Sequence, residues 1–273
     1  MSDGDARVGR IRAAFERAHA DGRPAIIPYI AAGDPDLVAT RSIVGALQRG
    51  GADIVEIGVP FSDPIADGPV IQRAVERALK KGVSLRSVLD LCARLTEDDA
   101  PPMVLFTYYN PIHRMGTREF AQAAAHAGVD GVLVTDLPDE EADDLDVALL
   151  ETGIDLIVLL APTSTRERIE RASGRARGFV YFISRTGVTG ARESLPEGLE
   201  AHIRAIRESC SLPIAVGFGI STGAQVREVA GFADGVVVGS ALVRLIEEFS
   251  GAPDLAERVE RFCRDLTPSG EGG

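Results

Sequence analysis

Eight short apolar runs, separated by longer amphipathic stretches, recur from one end of the chain to the other. Each run is rich in Val, Ile and Leu and is apolar on both faces, which is typical of parallel strands covered on both sides. This alternation implies right-handed βαβ units and favours an α/β fold closed into a (β/α)₈ barrel of the TIM type. An open, doubly wound sheet is the alternative. The predicted strands are residues 25–30, 53–57, 103–107, 131–134, 155–160, 179–183, 213–216 and 235–238.

The segments around this repeat complete the predicted architecture. An extra N-terminal helix over residues 9–19 is expected to close the N-terminal end of the barrel. Asp34 or Asp36 can cap the helix that follows the first strand. No Gly/Ser-rich linker divides the chain, so we predict a single domain over residues 1–266 and a disordered tail over residues 267–273.

Charge and cysteine content exclude several classes of function. The formal net charge of -12 argues against nucleic-acid or anionic-membrane partners. The three cysteines lack paired spacing and the four histidines are scattered, which argues against a disulfide framework and a metal site. No run approaches the ~18 apolar residues of a membrane span, and the N-terminus does not resemble a signal peptide. We therefore expect a cytoplasmic protein.

Glu56 lies inside the second apolar run, where a carboxylate cannot be hydrated like a surface glutamate. Burial raises the pKa of such a group and suits it to proton exchange near neutral pH. A structural glutamate paired with a cation is the alternative. Since barrel active sites lie at the C-terminal ends of strands, we predict a catalytic role.

The loop over residues 58–69 carries two further aspartates. Asp63 lies between Ser62 and Pro64, which can fix its direction. Asp67 precedes a Gly-Pro helix start, so it could be an N-terminal cap or a catalytic group. The residues alone do not decide between the two aspartates.

A polar loop follows the sixth strand over residues 184–191, with two glycines and two threonines. Such a loop can close over a ligand as a lid, or it can be an ordinary surface loop. Tyr181, within the preceding strand, either points into the barrel mouth or belongs to the core.

Small residues follow the last two strands, in the segments GFGIS from Gly217 and VGS from Val238. In barrels of this type a phosphate often binds between these loops and the N-terminus of a short helix. The helix contributes roughly half a positive charge there, so an acidic protein can still hold a dianion. We predict a short phosphate-binding helix after strand 8 and a phosphorylated substrate. There is no Walker A or dinucleotide-binding motif.

In sum, these segments resemble those of the tryptophan synthase alpha chain family, over about residues 15–249. The most specific are EIGVPFSDPIADGP from Glu56 and SRTGVTG from Ser184. PYIAAGDP from Pro28, DLP from Asp136, and the GFGIS and VGS segments follow in the expected order.

The resemblance implies a lyase that cleaves indole-3-glycerol phosphate to indole and glyceraldehyde 3-phosphate. By this resemblance Glu56 matches the general acid/base acting at the indole C3 and the glycerol hydroxyl. Asp63 matches the carboxylate that binds the indole N–H and stabilises its developing positive charge. The expected substrate-binding residues are Tyr29, Phe106, Tyr108, Tyr181, Thr189, Gly190, Phe218, Gly219, Gly239 and Ser240.

The resemblance also implies a partner, a pyridoxal-phosphate β subunit in an α₂β₂ complex. The loops over residues 58–69 and 108–116 would contact it, and the alpha chain itself would need no cofactor. Three departures bear on these expectations. Ala31 replaces a common threonine, Arg192 a common glutamate, and His113-Arg114 an aromatic-polar pair in the partner-facing region.

Three other functions are alternatives to this one. An isomerase or another phosphate-binding barrel enzyme would be expected to carry ionisable groups after the first strand, where this chain has only Tyr29-Ile-Ala-Ala. A stand-alone lyase would share the chemistry but lack the partner. A binding module that only activates a β subunit would not need both Glu56 and Asp63.

Overall fold

Eight parallel strands form a closed barrel in which each strand pairs with its neighbours in chain order, and β8 closes onto β1. This computed structural model describes residues 9–183, 198–217 and 219–267. The strands are β1 Ala25–Ala31, β2 Val55–Gly58, β3 Met103–Thr107, β4 Gly131–Val134, β5 Asp155–Leu160, β6 Val180–Ile183, β7 Ile214–Gly217 and β8 Gly235–Val238. The predicted (β/α)₈ barrel is confirmed, and the strand ends differ from the prediction by at most two residues.

Helices follow the strands and cover the barrel. Those in the described part are α1 Arg10–Ala20, α2 Leu37–Arg49, α3 Pro69–Lys80, α4 Leu85–Glu97, α5 Tyr109–Met115, α6 Thr117–His126, α7 Asp143–Glu151, α8 Arg166–Arg175, α9 Leu199–Ser209, α10 Gly223–Val229, α11 Ser240–Glu248 and α12 Leu255–Leu266. A 3₁₀ turn spans Asp139–Glu141. None of these helices is long and apolar enough to span a membrane.

The core has two layers because alternate strand residues point to opposite sides of the barrel wall. Ile26, Val55 and Ile57 pack outward against the helices, whereas Ile27 and Val104 fill the barrel interior. Every residue of β1 is buried, as expected for a strand covered on both sides. An inward position in β2 therefore places a side chain in an enclosed space.

Helix α1 closes the N-terminal end of the barrel, as predicted. Ile11 and Phe15 are buried in the interior cluster. A Cβ atom added at Gly131 would lie 2.9 Å from Ile11, and one added at Gly235 would lie 2.9 Å from Phe15. Glycine at these two strand starts makes room for the helix.

One of the two predicted caps of α2 is observed. Asp36, rather than Asp34, caps α2 by accepting a hydrogen bond from the Ala39 N–H. Asp34 lies in an ion pair with Arg77 instead. Thr267, the first residue of the predicted disordered tail, donates to the last turn of α12, through its hydroxyl to the Cys263 carbonyl and through its N–H to the Arg264 carbonyl. Residues 268–273 lie outside the described residues.

Aspartates at the N-terminal end of the barrel tie neighbouring strands together. Asp53, just before β2, accepts from the Ile26 N–H of β1 at 2.8 Å and pairs with Arg23 at 2.6 Å. Asp130, just before β4, accepts from the Met103 N–H of β3 at 2.8 Å. These bonds are buried and join strands that are distant in sequence, so we expect them to stabilise the barrel.

We predict that Asp53→Ala lowers the free energy of unfolding by about 2–5 kcal/mol, because it leaves a buried N–H without a partner and leaves Arg23 with only its longer contacts to Asp21 and the Pro24 carbonyl. Urea unfolding followed by circular dichroism measures this loss. The matched control is Asp98→Ala, which breaks the exposed pair with Arg41 and should cost less than about 1 kcal/mol. Equal losses in the two variants would contradict the prediction.

Candidate active site

A cavity opens at the C-terminal ends of the strands, where barrel enzymes carry their active sites. Its walls come from β1, β2, β3, β6, β7 and β8 and from the first turns of α3 and α11. The lining residues are Tyr29, Glu56, Ala66, Asp67, Gly68, Ile71, Phe106, Tyr181, Ile183, Gly217, Gly219, Val237, Gly239 and Ser240. The structure thus brings together Glu56, Tyr29, Phe106, Tyr181, Gly219, Gly239 and Ser240, as the sequence predicts.

Glu56 points into the cavity from the inner face of β2. Its neighbours in register are Tyr29 on β1 and Val104 on β3, both members of the interior cluster. The residue is 0% exposed, and neither carboxyl oxygen has a hydrogen-bond partner among the described residues. Burial raises the pKa of Glu56 to about 8. The group is therefore mainly protonated at pH 7, and no cation of the described ranges pairs with it, as the structural alternative would require.

The side chains of Tyr29 and Tyr181 each lie against a glycine at the end of the neighbouring strand. A Cβ added at Gly58 would meet the Tyr29 hydroxyl at 2.2 Å, and one added at Gly217 would meet the Tyr181 hydroxyl at 2.0 Å. Burial raises the pKa of both tyrosines well above 10. Phe106 packs edge-on against Tyr29 with ring centroids 5.4 Å apart. Together these rings form an apolar wall of the cavity.

We predict that Gly217→Ala lowers kcat/KM of the expected lyase reaction about tenfold or more, because the added methyl group pushes the Tyr181 ring into the cavity. Steady-state kinetics and a crystal structure of the variant check both parts. Gly231→Ala is the matched control, since a Cβ there meets no atom within 4 Å. A Tyr181 ring that stays in place while kcat/KM is unchanged would contradict the prediction.

Asp67 is the second carboxylate of the cavity. It lies just before α3, where Gly68 is the N-cap without a side-chain cap, so Asp67 is not the helix cap. Burial raises the pKa of Asp67 to about 6, opposed by a hydrogen bond from the Tyr108 hydroxyl. That hydroxyl also accepts from the Ala66 N–H at 3.1 Å. Tyr108 therefore reaches the site through this loop, although it does not line the cavity.

Asp63 lies elsewhere, contrary to what the resemblance implied. It is exposed and does not line the cavity, and its carboxylate accepts a hydrogen bond from Ser62 at 2.7 Å. The physical reason lies in the loop after β2. The chain leaves the barrel mouth at residues 61–65, with Ile65 84% exposed, and returns only at Ala66 and Asp67.

The opposite end of the cavity is built from backbone and small side chains. Gly219, at φ 39°, follows β7, and Gly239 and Ser240 begin α11 directly after β8. No side-chain cap occupies the N-terminal N–H groups of α11. Among the described lining residues there is no lysine or arginine. Such an end suits a phosphate group held by amides and a helix dipole.

Several predicted residues belong to segments that the structure does not describe. Thr189, Gly190, Phe218, Arg192 and the loop over residues 184–191 lie outside the described residues. Of the other departures, Ala31 is buried at the end of β1, and the His113 ring lies against Tyr109 with centroids 5.8 Å apart.

Sequence reasoning did not select three of the apolar lining residues, Ile71, Ile183 and Val237. Ile183 and Val237 occupy inward positions of β6 and β8, two residues after Tyr181 and two before Gly239 respectively. The period-2 alternation of strands could have found them. Ile71 lies in α3 and could not have been found in this way.

The comparison with known proteins agrees with the site. The family model described as tryptophan synthase alpha chain matches residues 15–269. The chain belongs to this family. A tryptophan synthase alpha chain from Geobacter sulfurreducens is 49% identical over 259 residues, which cover 95% of this chain and 98% of that relative. The family is one of lyases in tryptophan biosynthesis.

Solved structures of tryptophan synthases share the fold. A structure of tryptophan synthase from Mycobacterium tuberculosis superposes with a TM-score of 0.87 at 38% identity, covering 94% of this chain and 96% of that one. A structure of the tryptophan synthase α₂β₂ complex from Pyrococcus furiosus gives a TM-score of 0.83 at 40% identity, covering 89% and 98%.

Proposed function

We propose that this alpha chain cleaves indole-3-glycerol phosphate by retro-aldol chemistry, with Glu56 as the acid/base and Asp67 as the second carboxylate. The observation that carries the proposal is the buried carboxyl of Glu56, which has no hydrogen-bond partner in the described part of the chain and faces the same cavity as the glycine-lined N-terminus of α11. The apolar wall suits the indole ring, and the α11 end suits the phosphate. The distance between carboxylate and phosphate ends is then spanned by the glycerol chain.

The two carboxyl groups suit different steps because their environments separate their pKa values. With a pKa of about 8, Glu56 is mainly protonated at neutral pH and can donate its proton to the indole C3. With a pKa of about 6, Asp67 is mainly ionised and can stabilise the positive charge that develops on the ring N–H.

Cleavage of the carbon–carbon bond then returns a proton to Glu56. Once C3 is protonated, the bond between C3 and the glycerol carbon breaks and its electrons return to the indole ring. The ionised Glu56 accepts the proton of the adjacent hydroxyl as that carbon becomes an aldehyde. One carboxyl group thus gives one proton and receives one, so it ends the cycle protonated.

Asp63 is the weaker candidate for the second carboxylate, and its surroundings favour a different role. It lies beside the exposed Ile65 on the loop over residues 58–69. We infer that this loop and residues 108–116 contact a β subunit in an α₂β₂ complex. The pyridoxal phosphate belongs to that β subunit, and this chain works without a cofactor of its own. Both subunits act in the cytoplasm.

The test is indole release from indole-3-glycerol phosphate, measured with the isolated chain and with an added tryptophan synthase β subunit. We expect slow release alone and stimulation by the partner. Absence of release under both conditions would overturn the proposed reaction. Release that is fast alone and unaffected by the partner would instead support the stand-alone lyase.

A further inference from the structure

Four charged side chains form a continuous ion-pair chain between elements near the C-terminal ends of the strands. Arg77 of α3 binds both carboxylate oxygens of Asp34, through Nε and Nη2, at 2.8 Å each. Its remaining Nη1 donates to Glu247 of α11 at 2.7 Å. Arg73 of α3 then binds both oxygens of Glu247 at 2.9 and 2.8 Å. The loop after β1, helix α3 and helix α11 are thereby connected.

The strand before that loop and the starts of the two helices also carry part of the cavity wall. β1 carries Tyr29, α3 begins just after Asp67, and α11 begins at Ser240. Side chains on a helix tilt toward its N-terminus, so the guanidinium groups of α3 reach toward the cavity end of the helix. Consistent with this, Arg77 reaches Asp34, which lies only three residues after the end of β1.

These ion pairs are of the kind that fix the relative positions of the elements they join. Asp34 is 3% exposed, so its charge is almost fully removed from water and depends on Arg77. Bidentate guanidinium–carboxylate pairs set both distance and angle, which a lysine cannot do. Arg73 and Arg77 lower the pKa of Glu247 to about 2, so the carboxylate stays ionised at every pH at which the protein would be assayed.

We propose that Arg77 is a positioning residue, which together with Asp34 and Glu247 sets the spacing between Asp67 and the N-terminus of α11. This inference rests on the proposed function, in which one substrate molecule spans both points. A ligand that contacts only the α11 end does not depend on the spacing. A substrate that must contact Asp67 and the N-terminus of α11 together does depend on the spacing between them. A shift of about 1 Å in such a geometry can lower the rate by as much as 100-fold.

The experiment compares Arg77→Met, Arg77→Lys and Glu247→Gln with the wild type. Indole release gives kcat and KM, and calorimetry gives the affinity for glycerol 3-phosphate, a probe of the phosphate end alone. Arg49→Met is the matched control, since the Arg49–Glu260 pair at 2.8 Å joins α2 to α12, away from the cavity. All assays are made well below the Tm of each variant.

We expect Arg77→Met to lower kcat/KM about 20-fold or more, with glycerol 3-phosphate affinity within about threefold of wild type and Arg49→Met unaffected. Arg77→Lys should recover only part of the loss. If Arg77→Met lowers the Tm but leaves kcat/KM equal to that of Arg49→Met, Arg77 is merely structural and the inference is wrong.

Glu247→Gln keeps the inference falsifiable if Arg77→Met does not fold. It preserves the shape of the side chain and removes the charge that holds Arg73 and Arg77. We expect about a fivefold loss in kcat/KM, and an unchanged value would overturn the inference. Failure of the proposed function would look different, because the wild type itself would then release no indole, and the inference would fall with it.

Discussion

Glu56→Gln is expected to lower the rate of indole release by about 100- to 10,000-fold, because the amide can neither donate a proton to C3 nor accept one from the glycerol hydroxyl. The substitution keeps the shape of the side chain, so the apolar wall around it and the affinity for glycerol 3-phosphate should stay nearly unchanged. In the wild type, activity that needs the protonated form should fall as the pH rises through about 8. The measurement is a pH profile of kcat/KM for both proteins.

The same variant should be more stable than the wild type at alkaline pH. Folding raises the pKa of Glu56 from 4.5 to about 8, so between these values the folded chain holds a proton that the unfolded chain releases. The wild type therefore loses stability as the pH rises through that window, whereas glutamine has no proton to lose. We expect a gain of about 2–4 kcal/mol at pH 8.5 and almost none at pH 4.

Urea unfolding at the two pH values measures this difference. Glu16→Gln is the matched control, because Glu16 is an exposed partner of Arg12 whose loss should leave activity unchanged and alter stability by less than about 1 kcal/mol. A Glu56→Gln variant with wild-type turnover would remove Glu56 from the mechanism. A variant that is inactive but gains no stability at pH 8.5 would mean that the carboxyl is not desolvated as the structure indicates.

Asp67→Asn is expected to lower the rate of indole release by about 100- to 1,000-fold, whereas Asp63→Asn in the isolated chain should change it by less than about threefold. Asp67 lines the cavity and is mainly ionised at neutral pH, so its charge can act on the indole N–H. Asp63 is exposed and bonded to Ser62, so its charge is screened by water.

The two aspartates are matched controls for each other, since they lie four residues apart on one loop and undergo the same change. Single-turnover measurements on the isolated chain avoid any contribution from the β subunit. Tyr108→Phe adds a graded test, because it removes the hydroxyl that bonds to Asp67 and should cause a smaller loss. The opposite order, with Asp63→Asn inactive and Asp67→Asn active, would restore the role that resemblance first assigned to Asp63.

The sequence was sufficient for the barrel and for Glu56. Parallel strands buried on both sides require continuous apolar runs, and those runs are visible without a structure, so the strand ends were placed to within two residues. Glu56 interrupts such a run, and any carboxyl at an inward strand position must lose its water. Its raised pKa follows from that position alone.

Only the tertiary structure favours Asp67 over Asp63 as the second carboxylate, because Asp67 lines the cavity and Asp63 does not. Both lie in one Gly- and Pro-rich loop, and no periodicity of the sequence tells which part of a loop turns back toward the barrel mouth. The packing of Tyr29 and Tyr181 against Gly58 and Gly217 was also invisible, because each tyrosine meets a glycine on the neighbouring strand.

The ion-pair chain around Arg77 shows the same limit most clearly. Asp34 and Arg77 are 43 residues apart, and Arg77 and Glu247 are 170 residues apart. In the sequence they are ordinary charged residues, and they meet because closure of the barrel places β8 beside β1 and packs α11 next to α3. Local patterns determine which elements form and which faces they bury. The contacts between side chains from different elements arise only when the whole barrel closes.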